Sequence, residues 1–180
     1  RRPKTEPAPT TPEATPFALP ELPVSINIGS LETNSLFLGE DIIGTDATFT
    51  VNGSFSLADG DGAADMKINR TDGSEGIFNL DAGFANATRL LKIDLFAKEG
   101  ANGIVSNLAK FPDNPSLEFS VKGEGELEDF VARINLKSNE EERLTGLIAL
   151  NVVADPNLPT PVPGEPLVDP MRVFSVALQG

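Results

Sequence analysis

The sequence predicts an all-β protein: an antiparallel meander with one apolar face and one short helix beside it. Three observations carry that prediction. Between Val24 and Leu150 apolar and polar residues alternate in about eight successive runs, each closed by Gly, Asp or Asn, which is the pattern of consecutive half-buried strands. Asp-Gly pairs stand between runs, and because Gly takes positive φ at little cost they favour tight hairpins joining sequential antiparallel strands. Only one stretch of the middle region follows a helical period instead.

Residues 1–23 carry Pro3, Pro7, Pro9, Pro12, Pro16, Pro20 and Pro23 among Thr, Glu and Ala, too few apolar side chains to offset ordering, so they are predicted to form an extended linker. The sheet is predicted over 24–153. Its clearest strand sets Phe49, Val51, Gly53, Phe55 and Leu57 against Thr48, Thr50, Asn52, Ser54 and Ser56 on the opposite parity. The phrase returns as Ala64, Met66, Ile68; as Phe78, Leu80, Ala82, Phe84; and as Leu91, Ile93, Leu95, Ala97. Near 102–111, Ile104, Val105, Leu108 and Phe111 fall at helical spacing before Pro112, which predicts a short helix plugging one end of the apolar face. Strands resume with Leu117, Phe119, Val121, then Phe130, Ala132, Ile134, Leu136, then Leu144, Gly146, Ile148, Leu150. Residues 154–170 hold six prolines and cannot enter a sheet interior, so a long loop is expected there, with a final strand over 171–180.

Tight turns are expected at Asp59-Gly60-Asp61-Gly62, Asp72-Gly73 and Glu99-Gly100. Gly53, Gly83 and Gly146 stand inside strands, where a missing side chain permits a bend or bulge that would set the curl of the sheet.

Composition narrows the function classes. The chain has 180 residues and opens on Arg1, and it is read as an excerpt of something longer. With neither Cys nor His it has no disulfide, no Cys/His zinc set and no His general base. A net charge of −13 opposes binding to phosphate backbones, so nucleic acid is not an expected partner. No apolar run approaches the roughly 20 residues of a membrane-crossing helix, and no signal-peptide pattern is present.

The search for reactive constellations yields little. Asp59, Asp61 and Asp65 resemble part of a calcium loop, but the Gly comes too early and no bidentate Glu follows; an acidic hairpin turn accounts for them. Glu140, Glu141 and Glu142 read as a solvated loop. The Asn-x-Ser/Thr sequons at Asn52, Asn69 and Asn86 fit turns and polar strand faces. No metal ligands, cofactor motif or catalytic residues are expected, and the chain is not read as an enzyme.

A sheet with one apolar side must cover it, by a second sheet, by closure into a barrel or by helices. The aromatic residues are 11 Phe with no Trp or Tyr. A lining without hydroxyl or indole groups suits hydrocarbon, whereas protein interfaces favour aromatics with a polar handle. An ordinary sandwich or barrel core would use the same residues, and a self-contained β-sandwich acting as a binding or adhesin module remains the alternative.

The run Gly103-Ile104-Val105-Ser106-Asn107-Leu108-Ala109-Lys110-Phe111-Pro112, continuing to Leu117, and the run Gly123-Glu124-Gly125-Glu126-Leu127-Glu128-Asp129-Phe130 together resemble the translocation and assembly module (TamB) family in its alphaproteobacterial form. That family lies within the AsmA-like, bridge-like lipid-transfer superfamily. Leu19-Pro20-Glu21-Leu22-Pro23-Val24, Gly53-Ser54-Phe55-Ser56-Leu57-Ala58-Asp59-Gly60 and Asn86-Ala87-Thr88-Arg89-Leu90-Leu91-Lys92-Ile93-Asp94-Leu95 agree, so the resemblance covers about residues 19 to 150. It implies an elongated, curled, taco-like sheet whose hydrophobic groove runs through the periplasm. It also implies an inner-membrane anchor outside these residues, an Omp85-type outer-membrane barrel as partner, and roles in autotransporter assembly and phospholipid passage.

On that reading the groove is lined by Phe49, Val51, Phe55, Leu57, Met66, Ile68, Phe78, Leu80, Phe84, Leu91, Ile93, Leu95, Leu117, Phe119, Val121, Ile134, Leu136, Ile148 and Leu150, none of them charged. Strands about 4.8 Å apart and six to eight residues long give a groove about 40 to 50 Å in length with walls about 20 to 26 Å wide. The acidic exterior keeps such a sheet soluble and would hold anionic headgroups outside the groove mouth. Free edges at both ends predict self-association of the isolated segment.

Overall fold

The computed structural model describes residues 18–20, 22–152 and 172–180. Most of the Pro-rich segments predicted as a linker and a loop lies outside these residues. Nine strands form one antiparallel sheet in sequence order: β1 (Ile26–Leu38), β2 (Ala47–Ala58), β3 (Asp61–Arg70), β4 (Gly76–Ala85), β5 (Leu90–Glu99), β6 (Leu117–Glu126), β7 (Asp129–Ser138), β8 (Glu141–Val152) and β9 (Arg172–Gln179). Two short helices interrupt the meander, α1 (Glu40–Ile43) between β1 and β2, and α2 (Ile104–Leu108) between β5 and β6. The sheet is open and curled, with β1 and β9 as its two edges; it is not a closed barrel.

Turn chemistry explains the sequential pairing. Asp59 and Gly60 both take positive φ, 52° and 79°, which is the mirror-image turn whose twist matches a hairpin. Asn139 and Glu140 do the same between β7 and β8 at 51° and 66°. Only Glu140 of the acidic run predicted as a solvated loop therefore lies in a turn. Glu141 and Glu142 begin β8, where Glu142 accepts a hydrogen bond from Asn135 at 2.7 Å and Glu141 pairs with Arg143. Glu99-Gly100 is not a tight hairpin either, because the chain leaves the sheet there to build α2.

The strands run 8 to 13 residues, longer than the apolar runs suggested, so a ten-residue strand makes a wall about 33 Å wide. Polar residues at strand ends prolong the ladder after the apolar pattern has stopped. Arg70, Glu99 and Ser138, for instance, still hold ladder positions.

No strand packs extensively on any strand but its sheet neighbours, so the described residues form a single layer rather than a sandwich. Buried apolar side chains are correspondingly few among the described residues: Ala47, Val51, Phe84, Phe130, Ala132 and Ile134. Of the interior strand glycines, Gly53 and Gly146 lie on the apolar face, where a Cβ would strike the backbone carbonyl of the next strand, Asp65 or Ala177. Those close approaches let neighbouring backbone swing inward. Gly83 lies on the other face with ordinary clearance and contributes no such approach. The bulges fall in β1, one of them ending at the Leu31 pairing with Gly53, and between Leu136 and Lys137; neither lies at Gly83 or Gly146.

Candidate functional site: an apolar face and its two lips

Cross-strand partners point to the same side of a sheet, so the register decides which side chains share a surface. One row runs Ile28, Phe55, Ala64, Ala82, Ile93, Gly123, Ala132, Ile148, Val176 across all nine strands. The next runs Leu31, Gly53, Met66, Leu80, Leu95, Val121, Ile134, Gly146, Leu178. A third runs Thr33, Val51, Ile68, Phe78, Ala97, Phe119, Leu136, Leu144. With eight intervals of about 4.8 Å, the first two rows extend about 38 Å across the strands, and the third, ending on β8, about 34 Å.

The register brings all nineteen lining candidates onto this face. Val51, Phe84 and Ile134 are buried, Phe55 is 41 % exposed and the other fifteen are half-buried. A closed core would bury the set completely. The edge strand adds Ile26, Ile28, Leu31 and Leu36, each at least 38 % exposed, which the sequence pattern did not single out.

The opposite face carries the polar parity. There Lys122 pairs with Asp94, Lys137 with Glu118 and Lys92 with Asp81, the last two at 2.7 Å. A hydrogen bond from Lys92 to Asp81, reinforced by the carboxylate charge, holds that ammonium above its ordinary value. Such solvent-screened pairs serve solubility more than stability. Asp61 and Asp65 also lie on this face, and among the described residues no group of three or more acidic side chains could hold a metal ion.

At one lip the α2 segment folds over the apolar face. Its orphan N-terminal amides are satisfied by the Glu99 carboxylate, which accepts from Val105 at 2.9 Å and from Ser106 at 2.8 Å. A Cβ on Gly103 would land on that carboxylate, so any larger residue there would push the Glu99 side chain away from the amides it caps. Ser106 is fully buried and donates its hydroxyl to the Gly103 carbonyl at 3.1 Å. Asn107 donates to the carbonyls of Asn102 and Gly103 at 2.9 and 2.7 Å. Leu108 reaches the turn after α1, within 3.1 Å of where a Cβ on Gly44 would stand.

Beneath α2 lies a cavity of about 420 Å³. Ile104, Val105 and Phe111 roof it, and Phe49, Ile68, Phe78, Ala97, Leu117, Phe119 and Leu136 line its floor, while Arg70, Glu75, Lys98 and Glu99 border it. The helix predicted near 102–111 is shorter than expected, since the chain turns at Ala109 and Lys110 with Lys110 at φ 53°.

At the opposite lip the chain before β1 returns to the sheet. The Asn86 side-chain amide pairs with the Leu19 backbone in both directions, accepting from its N–H and donating to its carbonyl, each at 2.9 Å. The Leu19 side chain sits where Gly62 leaves room, 2.7 Å from the position of an added Cβ and on the apolar side. Leu19 thus docks on the sheet through both its backbone and its side chain. A polar side chain imitating a strand partner leaves no periodic signal, so sequence pattern could not reveal it.

The fold and face together define a class: a single-layered, open antiparallel sheet with one continuous apolar surface rimmed by a helix and a docked leucine. Compared with protein-family models, curated proteins and solved structures, the chain matches none. No helix among the described residues is long and apolar enough to cross a membrane.

Proposed function

We propose that this chain is a segment of a periplasmic translocation and assembly protein whose apolar β-face carries phospholipid acyl chains. In this reading an inner-membrane anchor lies outside these residues, and an Omp85-type outer-membrane barrel is the partner in lipid passage and autotransporter assembly. The observation that carries the acyl-chain part is the continuity of three apolar rows across the sheet without a second layer packed on them. The membrane setting and the barrel partner rest on the resemblance of the sequence.

Energetics favour a continuous track. Each methylene leaving hydrocarbon for water costs about 0.8 kcal/mol, so a sixteen-carbon tail would face a barrier on the order of 12 kcal/mol unless apolar contact is kept throughout. The three rows contain one hydroxyl, Thr33 on the edge strand, and no charge. Transfer along such a surface requires no covalent step, and the residues serve as a solvent rather than as catalysts.

Native mass spectrometry with lipid extraction tests this on the purified chain and on a Phe55→Glu, Phe119→Glu double variant. Both positions lie on the apolar face, where a carboxylate would set a charge in the path of an acyl chain. Co-purifying phospholipid on the wild type, lost from a variant that keeps its β circular dichroism, is the expected result. A wild type free of lipid and unable to take it up from vesicles would overturn the proposal.

A further inference from the structure

The apolar face is not uniform: at the α2 lip it acquires a roof. The 420 Å³ beneath α2 falls within the roughly 300–1,000 Å³ of small-ligand sites. The charged groups around it are all engaged within the chain. Arg70 donates through Nε to both oxygens of Asp72 at 2.9 Å and through Nη2 to the Asp46 carbonyl at 3.3 Å. Lys98 pairs with Glu75 at 2.5 Å, and each oxygen of Glu99 accepts an α2 amide. A carboxylate or phosphate entering here would have to displace one of these partners. A hydrocarbon end displaces none of them.

We propose that the space beneath α2 seats the methyl end of one unbranched acyl chain, so that a bound lipid lies on the sheet with fixed polarity, tail under α2 and headgroup away from it. The proposal rests on the reading of the apolar face as an acyl-chain surface and adds a discrete seat and a direction. Ala97 lies on the floor of that seat, between Phe78 and Phe119 in its row. Ala82, one strand away on the same face, lies outside it.

Titration of the full 180-residue chain with the polyene fatty acid cis-parinaric acid, alone and then in competition with phospholipid vesicles, reads this out. Ala97→Phe should weaken binding about tenfold or more, as if two methylenes lost their burial, while Ala82→Phe, on the acyl-chain surface but outside the seat, weakens it several-fold less. Equal effects of the two variants on a wild type that binds would overturn the seat and leave the apolar-surface reading standing. A wild type that binds neither fatty acid nor vesicle lipid would overturn both.

A second measurement does not depend on Ala97→Phe folding. The chain has no cysteine, so Val105→Cys gives one labelling position on the roof. A bimane there should be quenched more by stearate carrying a nitroxide near its methyl end than by stearate carrying it near the carboxylate. Equal quenching, or the reverse order, would overturn the proposed polarity.

Discussion

Asp72 shows how one side chain ties a hairpin to the strands around it. Burial pushes its carboxyl up, but the hydrogen bond from Arg70 and the N–H groups of Ser74 and Thr48 together hold it below the ordinary aspartate value. The folded group thus binds its proton less tightly than the unfolded one. The stabilisation is fully present above the unfolded aspartate value, about pH 4, and is lost as pH falls through the folded value. Thermal unfolding of Asp72→Asn beside wild type should show a lower Tm for the variant at neutral pH and a gap that closes in acid. A gap independent of pH would mean that Asp72 acts by packing alone.

Among the elements, α2 depends on a residue outside itself. Glu99 supplies two charge-assisted hydrogen bonds, of a kind worth about 1.5–3 kcal/mol each when fully made and less when part-exposed. Glu99→Ala should leave the sheet intact while amide exchange at Val105 and Ser106 accelerates about tenfold or more, read by hydrogen-exchange NMR. Unchanged exchange would show that the roof is held by its apolar contacts. The sequence disclosed this element through Ile104, Val105, Leu108 and Phe111, but not its cap, because Glu99 lies five residues before the helix and belongs to a strand.

Strands β2 to β8 were legible because the two-residue period survives unbroken on their apolar side. β1 was not, since one extra residue between Ile28 and Leu31 and another between Thr33 and Leu36 shift its parity twice. α1, at four residues, is too short for any period to mark. The candidate face was legible in all nineteen predicted positions as a shared side of one sheet. Its lips, built from Leu19, Asn86 and Glu99, were not, because pairwise contacts between distant residues leave no local pattern.

At the scale of the whole molecule the sheet has two unequal edges. β1 is broken by two bulges, a device that discourages further pairing, whereas β9 pairs with β8 in unbroken register and presents Val176 and Leu178 at 45 % and 49 % exposure. Self-association of the isolated chain is therefore expected through β9. Val176→Lys should lower the apparent mass in multi-angle light scattering at high concentration, while Ile28→Lys on the bulged edge should not. Equal effects would remove the distinction between the edges.

Because no described strand packs extensively on any but its sheet neighbours, the architecture has no centre that a longer sheet would have to rebuild. Inserting one hairpin would lengthen the apolar face by about 10 Å and leave every existing contact but one pairing unchanged. A single-residue deletion within a strand would instead turn the side chains beyond it to the wrong side. Length is thus an adjustable dimension of this fold, changed in steps of two strands, while parity is fixed. A protein built this way can be lengthened by repetition alone.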